Sequence, residues 1–310
     1  MPEVVSANTK SGLVEIPQIV IGTHRKNEQQ IHAAVNEQIE TLGKTAIDTA
    51  PCYKTEEAIG NLIKQIPREN VFLTTKFEPW EARQDRWSET QLKNSLRKTG
   101  LDYVDLYLMH APISPDLNDM FDGSKWVKAR ESTAEAWQDI TKLRDDGLVR
   151  YVGISNFSQN DYEHLVLDTQ LVPDVNQLCL RAALENKDNN RANGVHTQIY
   201  SPFSLFNSDA MHNEPMLAEL VEKYQRTVGQ IILRLCFDND CSVVVGATYN
   251  HPENLKVFDF ELAKEDRAMF NDIIMPIDFS KQTGNLPVWT EAIKQRVEEN
   301  VKNDPIWSFG

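Results

Sequence analysis

Short apolar runs rich in Val, Ile, Leu, Phe and Tyr alternate along this chain with longer segments whose apolar residues recur at helical spacing. The runs at 12–16 and 17–23, then 45–48, 71–76, 103–110, 150–154, 174–177, 197–200 and 241–245, read as strands. Helices are expected between them. One runs over 28–42, with Asn27 as cap and Gly43 at its end, and a second over 56–65, stopped by Pro67. The Ser88-x-x-Gln91 pattern predicts a capping box that opens a helix ending at Gly100. Further helices are expected over 133–146, closed by Gly147, from the Ser158 cap through Leu167, and over 215–224 and 229–237. Two stretches carry no apolar period: the long insertion 111–132 reads as loop, and 185–193 is too polar to predict a full helix.

With 12–16 and 17–23 counted together as the opening strand, eight strands, each followed by helical or loop material, imply a parallel sheet closed into a (β/α)8 TIM barrel, an α/β fold. An open dinucleotide-binding sheet would place GxGxxG after its first strand, and the chain lacks it there. No Gly-, Ser- or Pro-rich linker divides the sequence, so residues 1–310 are expected to form a single domain. The barrel should occupy about 12–272, with the tail 273–310 packed near its mouth.

Charge narrows the partners. A formal net charge of −14 argues against a nucleic-acid or anionic-membrane partner, since those need clustered Lys and Arg. No apolar run reaches membrane-spanning length and the first residues lack signal-peptide order, so the expected compartment is the cytoplasm. Cys52, Cys179, Cys236 and Cys241 have no CxxC spacing and read as free thiols. A monomer or weak homodimer acting on a small molecule, with no metal, is the expectation.

In such a barrel the active site lies at the carboxyl ends of the strands. Those ends are Thr23, Asp48, Lys76, His110, Ser155-Asn156, Asn176-Gln177, Tyr200-Ser201 and Gly246, and Tyr53 follows Asp48 by five positions. A carboxylate, an ammonium, an imidazole and a phenol thus gather on one face. Reducing an aldehyde or ketone needs a hydride at carbon and a proton at oxygen. Tyr53 can donate the proton, Lys76 can draw down the phenol's acidity, Asp48 can hold Lys76, and His110 can orient the carbonyl. None of the four can supply hydride, so a cofactor must.

The segments Asp48-Thr49-Ala50-x-x-Tyr53-x-x-Glu56, Thr75-Lys76, Leu108-Met109-His110, Val152-Gly153-Ile154-Ser155-Asn156-Phe157, Val175-Asn176-Gln177 and Tyr200-Ser201-Pro202 resemble, in order, those of the aldo-keto reductase family. The resemblance runs from about residue 12 to 272. It implies a carbonyl reductase preferring NADP (NADPH) over NAD, with Asp48, Tyr53, Lys76 and His110 as its catalytic tetrad. It also implies that Thr23, Asp48, Ser155, Asn156 and Gln177 serve the nicotinamide end and that Tyr200 stacks on the ring. Ser201, Phe203 and Leu205 would lie against the pyrophosphate, with Ala247, Thr248 and Asn254 toward the adenosine. Substrate would meet Trp80, His110 and Trp126, inside an aromatic rim that Phe121 and the tail residues Phe279, Trp289, Trp307 and Phe309 would extend. Sugar or alcohol oxidation by the same residues, and a catalytically weak cofactor-binding regulator, are the alternative readings.

The chain departs from the family after its last strand. Members that use NADP commonly carry Lys-Ser there, then Arg or Gln, then Glu-Asn, whereas this chain reads Gly246-Ala247-Thr248 and on to Phe258 near the Asn position. Lys256 and His251 are then the expected cations for the 2′-phosphate, with Thr248 and Asn254 as further donors. A reduced NADPH preference follows.

Overall fold

The computed structural model describes residues 4–80, 87–114, 123–203, 214–248 and 251–275. A hairpin of β1 (Val4–Thr9) and β2 (Gly12–Pro17) pairs antiparallel before the barrel begins. Eight parallel strands then close on themselves: β3 (Ile19–Gly22), β4 (Thr45–Asp48), β5 (Val71–Phe77), β6 (Val104–Met109), β7 (Val149–Ser155), β8 (Val175–Cys179), β9 (His196–Tyr200) and β10 (Ser242–Gly246). β10 pairs with both β3 and β9, which completes the ring expected from the strand pattern.

Strand register brings the site together. Gly22 lies opposite Asp48, and Ser155 opposite Gln177. β3 approaches β10 closely at a glycine: a Cβ at Gly22 would stand 3.1 Å from the Val244 side chain. Outside the ring, helices α1 (Glu28–Leu42), α2 (Glu56–Ile63), α3 (Trp87–Thr99), α4 (Gly123–Asp145), α5 (Gln159–Thr169), α6 (Leu180–Ala192), α7 (Pro215–Tyr224) and α8 (Val228–Asp238) cover the strands. Asn27 and Ser158 form the caps their sequences predict, and Gly43 ends α1 in the left-handed region.

Three expectations are corrected. α4 begins ten residues before position 133, so half of the supposed loop insertion is helix. α6 is a full helix through the polar stretch 185–193. Its inward face is built from amides: Asn190 is fully buried and donates to Thr197 Oγ1 at 3.0 Å, and Asn186 donates to the Ala182 carbonyl at 2.7 Å. The Ser88–Gln91 capping box does not form either. Gln91 instead clamps the backbone of Glu78, accepting from its N–H at 2.8 Å and donating to its carbonyl at 3.0 Å.

Candidate active site

At the carboxyl end of β4, Asp48 and Lys76 of β5 form a buried ion pair, Nζ to Oδ1 2.5 Å. Nζ also donates to the Thr49 carbonyl at 3.1 Å, and Gln177 Nε2 donates to the second Asp48 oxygen at 2.8 Å. With both carboxylate oxygens and the ammonium engaged, the burial cost of the two charges is offset. A single 3-10 turn, Pro51–Tyr53, then carries Tyr53 back over the barrel. Its hydroxyl stands 3.4 Å from His110 Nε2, and Lys76 Nζ lies 4.9 Å from its ring centre. The four residues separated in sequence meet in one place.

Electrostatics differ from expectation in one respect. Burial, then the facing Asp48 carboxylate, pushes the Tyr53 phenol well above its ordinary value. The sequence argument had Lys76 lowering it. In the resting site Asp48 neutralises that ammonium at contact distance, so burial wins and the phenol keeps its proton. Burial, together with the Lys76 and His24 charges, drives the His110 imidazole well below its ordinary value and keeps it neutral.

The nicotinamide candidates gather on the adjacent strand ends β7 to β9. Asn156 sits in the left-handed region at φ 60, donates to the His110 carbonyl at 2.9 Å and accepts from the Tyr200 hydroxyl at 2.8 Å. It also donates to Ser155 Oγ at 3.2 Å, and Gln177 donates to Gln198 at 2.7 Å. Two primary amides, a hydroxyl and an aromatic face side by side form a donor and acceptor set that fits a carboxamide-bearing ring. Thr23 behaves otherwise: it is fully buried, and its hydroxyl contacts the Asp48 carbonyl at 2.9 Å and Thr55 at 3.1 Å. Its hydroxyl ties the strand end that carries Asp48 to the turn at Thr55.

Toward the adenosine end, Phe203 and Ala247 are buried, and Ser201 takes φ 50 at the strand end. Asn254, also buried, lies with Phe203 against Gly229, whose Cβ would sit 3.4 Å from the Asn254 oxygen. Lys256, the expected cation for the 2′-phosphate, pairs with Glu253 at 2.9 Å on an exposed face. Phe258 stacks on Phe237, with ring centres 5.7 Å apart, and belongs to the core. The cation beside Thr248 is Lys26, whose Nζ donates to the Thr248 hydroxyl at 2.8 Å. Leu205, Phe121, Phe279, Trp289, Trp307 and Phe309 lie outside the described residues, as does the Trp126 side chain.

Trp80, expected to meet the substrate, packs against His110 with ring centroids 5.1 Å apart. The strand-end pattern passed over three neighbours. His24 lies tilted against Tyr53 with ring centroids 4.8 Å apart, and burial followed by the Arg25 charge lowers its imidazole to about 4. The Cys52 backbone N–H donates to the buried Glu78 carboxylate at 2.5 Å. Glu78 was legible, since it follows Lys76 by two residues and a strand repeats its faces at that spacing. A cleft of about 690 Å³ opens beside Asn156, lined by Gln159, Glu163, Glu185 and Asn189 among others, and includes none of the four tetrad residues. The chemistry is therefore located by its side chains and not by cavity size.

Comparison with known proteins agrees with this geometry. The sequence model of the Aldo/keto reductase family matches residues 18–274. Methylglyoxal reductase DkgA of Salmonella typhimurium is 32% identical over 281 residues, covering 88% of this chain and 93% of that protein. The glyoxal reductase of Bacillus subtilis is 32% identical over 264 residues, covering 82% and 87%. The fold matches an aldo/keto reductase from Brucella melitensis with a TM-score of 0.72 at 29% identity, over 87% of this chain and 99% of that one. It also matches the Bombyx mori aldo-keto reductase AKR2E4 in complex with NADP, with a TM-score of 0.70 at 28% identity, over 88% and 94%.

Proposed function

The chain belongs to the aldo/keto reductase family, and we propose that Tyr53 is the proton donor in its NADPH-dependent reduction of small, reactive aldehydes and ketones. The observation that carries this reading is the meeting of the half-buried Tyr53 phenol and His110 imidazole with the buried Asp48–Lys76 pair in one place. The relatives named for methylglyoxal and glyoxal favour short dicarbonyl compounds as the substrate class. The buried Glu78 carboxylate beside the site disfavours substrates that carry their own carboxylate.

The roles follow from the resting charges. NADPH supplies the hydride. Tyr53 enters protonated and releases its proton to the carbonyl oxygen, leaving a phenolate. Lys76, 4.9 Å from the ring, stabilises that phenolate as it forms. Its effect is on the charge developed in the transition state rather than on the resting phenol. Neutral His110 holds the carbonyl oxygen toward the phenol. Ser155, Asn156 and Gln177 hold the nicotinamide carboxamide, and Tyr200 faces its ring. Lys26 and Thr248 take the 2′-phosphate, a contact that the sequence register had given to Lys256.

The test is NADPH oxidation followed at 340 nm (a property of the cofactor) with methylglyoxal, glyoxal and a carboxylate-bearing aldehyde. Turnover on the first two, and much less on the third, is expected. NADPH binding seen by fluorescence, without turnover on any carbonyl, would instead make the chain a cofactor-binding protein.

A further inference from the structure

A second constellation overlaps this site and shares His110 with the chemistry above. Cys52, Glu78 and His110 bring a thiol sulfur, a carboxylate oxygen and an imidazole nitrogen within 4.8 Å of one another. Among the described residues no other trio of His, Cys, Asp or Glu donors converges in this way. They come from three separate segments: the turn after β4, the residue after β5 and the residue after β6. We propose that these three side chains form a site for a thiophilic divalent cation of the zinc type, and that the cation competes with the carbonyl substrate.

The donors are held in place. Gln91 clamps the Glu78 backbone from both sides, and the Cys52 N–H holds one Glu78 carboxylate oxygen. The His110 backbone N–H donates to the Phe77 carbonyl at 3.0 Å, and its own carbonyl accepts from Asn156. The His110 ring supplies an independent sign: Nε2 faces Tyr53, while Nδ1 is buried with no hydrogen-bond partner. A buried imidazole nitrogen without a partner is costly unless something binds it.

Donor chemistry selects the ion. Thiolate, imidazole and carboxylate suit zinc and its heavier congener cadmium, whereas magnesium and calcium need sites made of oxygen. Ligands around a tetrahedral zinc lie about 3.3–3.7 Å apart, given bonds of about 2.0–2.3 Å. The trio therefore has to close by roughly 1 Å, within the reach of side-chain rotation. Three protein ligands leave a fourth position open. On binding, the Cys52 sulfur exchanges its proton for the metal, and that proton passes to buffer. His110 is then withdrawn from the carbonyl, while the carboxamide residues on β7 to β9 are untouched. The competition with carbonyl rests on the proposed reductase reading, but the binding itself does not.

Calorimetric titration of untagged, chelator-treated protein with Zn²⁺ tests the site. One equivalent should bind to the parent, with none for Mg²⁺ at the same concentrations, and Zn²⁺ should raise the melting temperature. Cys52→Ser and Glu78→Gln should each weaken binding by more than the roughly 10–100-fold that loss of a supporting hydrogen bond costs a metal site. Should Cys52→Ser fail to fold, Cys52→Ala answers the same question. In turnover assays Zn²⁺ should raise the apparent KM for the carbonyl and leave the NADPH affinity unchanged. Absence of stoichiometric binding, or parental affinity in the folded Cys52 variant, overturns the site. Inhibition competitive with NADPH overturns its placement. Stoichiometric, Cys52-dependent binding to a protein that turns over no carbonyl supports the site and removes the reductase reading alone.

Discussion

The two ends of the barrel use buried carboxylates in opposite ways. At the amino end, Asp105 accepts from Arg68 at 2.7 Å, from the Leu73 N–H at 2.8 Å and from Arg150 at 2.9 Å. Asp174 there accepts from Thr9 at 3.0 Å, from the Val152 N–H at 3.0 Å and from Arg144 at 3.1 Å. Each carboxylate ties neighbouring segments together, and its arginines reach solvent. At the carboxyl end, Asp48 faces an ammonium that is 1% exposed, and the Tyr53 hydroxyl stands 3.4 Å from His110. The amino end is arranged for stability. The carboxyl end buries both members of its ion pair, and this difference separates carboxylates that composition alone cannot tell apart.

Substitutions at the two ends should therefore fall on different axes. Lys76→Met should lower turnover per folded molecule by about 10²–10³-fold, the cost of losing one preorganised donor to developing charge. Kinetics normalised to the folded fraction from a melting curve checks it; activity near the parent's would place the phenolate's counter-charge elsewhere. Asp105→Asn should do the reverse, destabilising the fold by about 3 kcal/mol while turnover per folded molecule stays within about twofold. Chemical denaturation measures the first, and a fall in specific activity matching that of Lys76→Met would erase the contrast between the ends.

Most of the carboxyl end was legible because each tetrad residue closes a strand or the turn after one, where a barrel displays its chemistry. The polar half of α6 was not legible, because a hydropathy pattern cannot distinguish a solvated amide from Asn190, which is buried against Thr197. The Lys26–Thr248 contact joins positions 222 residues apart, and only closure of β10 onto β3 creates it. The register after the last strand pointed to Lys256 because nearness in sequence was the only measure available there. Gln91 read as half of a capping box, yet α3 already begins at Trp87, and the Gln91 amide bonds the backbone N–H and carbonyl of Glu78 at the buried strand end instead.

The amino end also carries a pH dependence. His196, the first residue of β9, is buried against Ser242 at 2.9 Å, and burial lowers its imidazole to about 4. The unfolded chain titrates near the ordinary 6.5, so the unfolded state binds the extra proton. The stability contribution is therefore complete above that value and is lost as pH falls toward 4, amounting to about 2–3 kcal/mol by pH 4.5. Urea unfolding at pH 7.5 and 4.5 should show this loss in the parent and a smaller one in His196→Gln; equal losses would assign the slope to other groups.

The smallest effect concerns cofactor choice. Lys26→Ala should weaken NADPH binding by about fivefold, or about 1 kcal/mol for an exposed ion contact, and leave NADH unchanged. Added salt should narrow the same gap in the parent. Lys256→Ala, which removes a surface partner of Glu253, should do little. Fluorescence titration of both cofactors distinguishes these, and an NADPH advantage sensitive to Lys256 alone would return the phosphate to its sequence-predicted place.

The central claim is that the protonated Tyr53 phenol is the acid, and single-turnover reduction tests it most directly. With NADPH bound beforehand and methylglyoxal added in a rapid-mixing experiment at 340 nm, Tyr53→Phe should slow the decay by about 10²–10⁴-fold while its titrated NADPH affinity stays within about twofold of the parent's. A decay at the parent's rate in the folded variant would contradict the account.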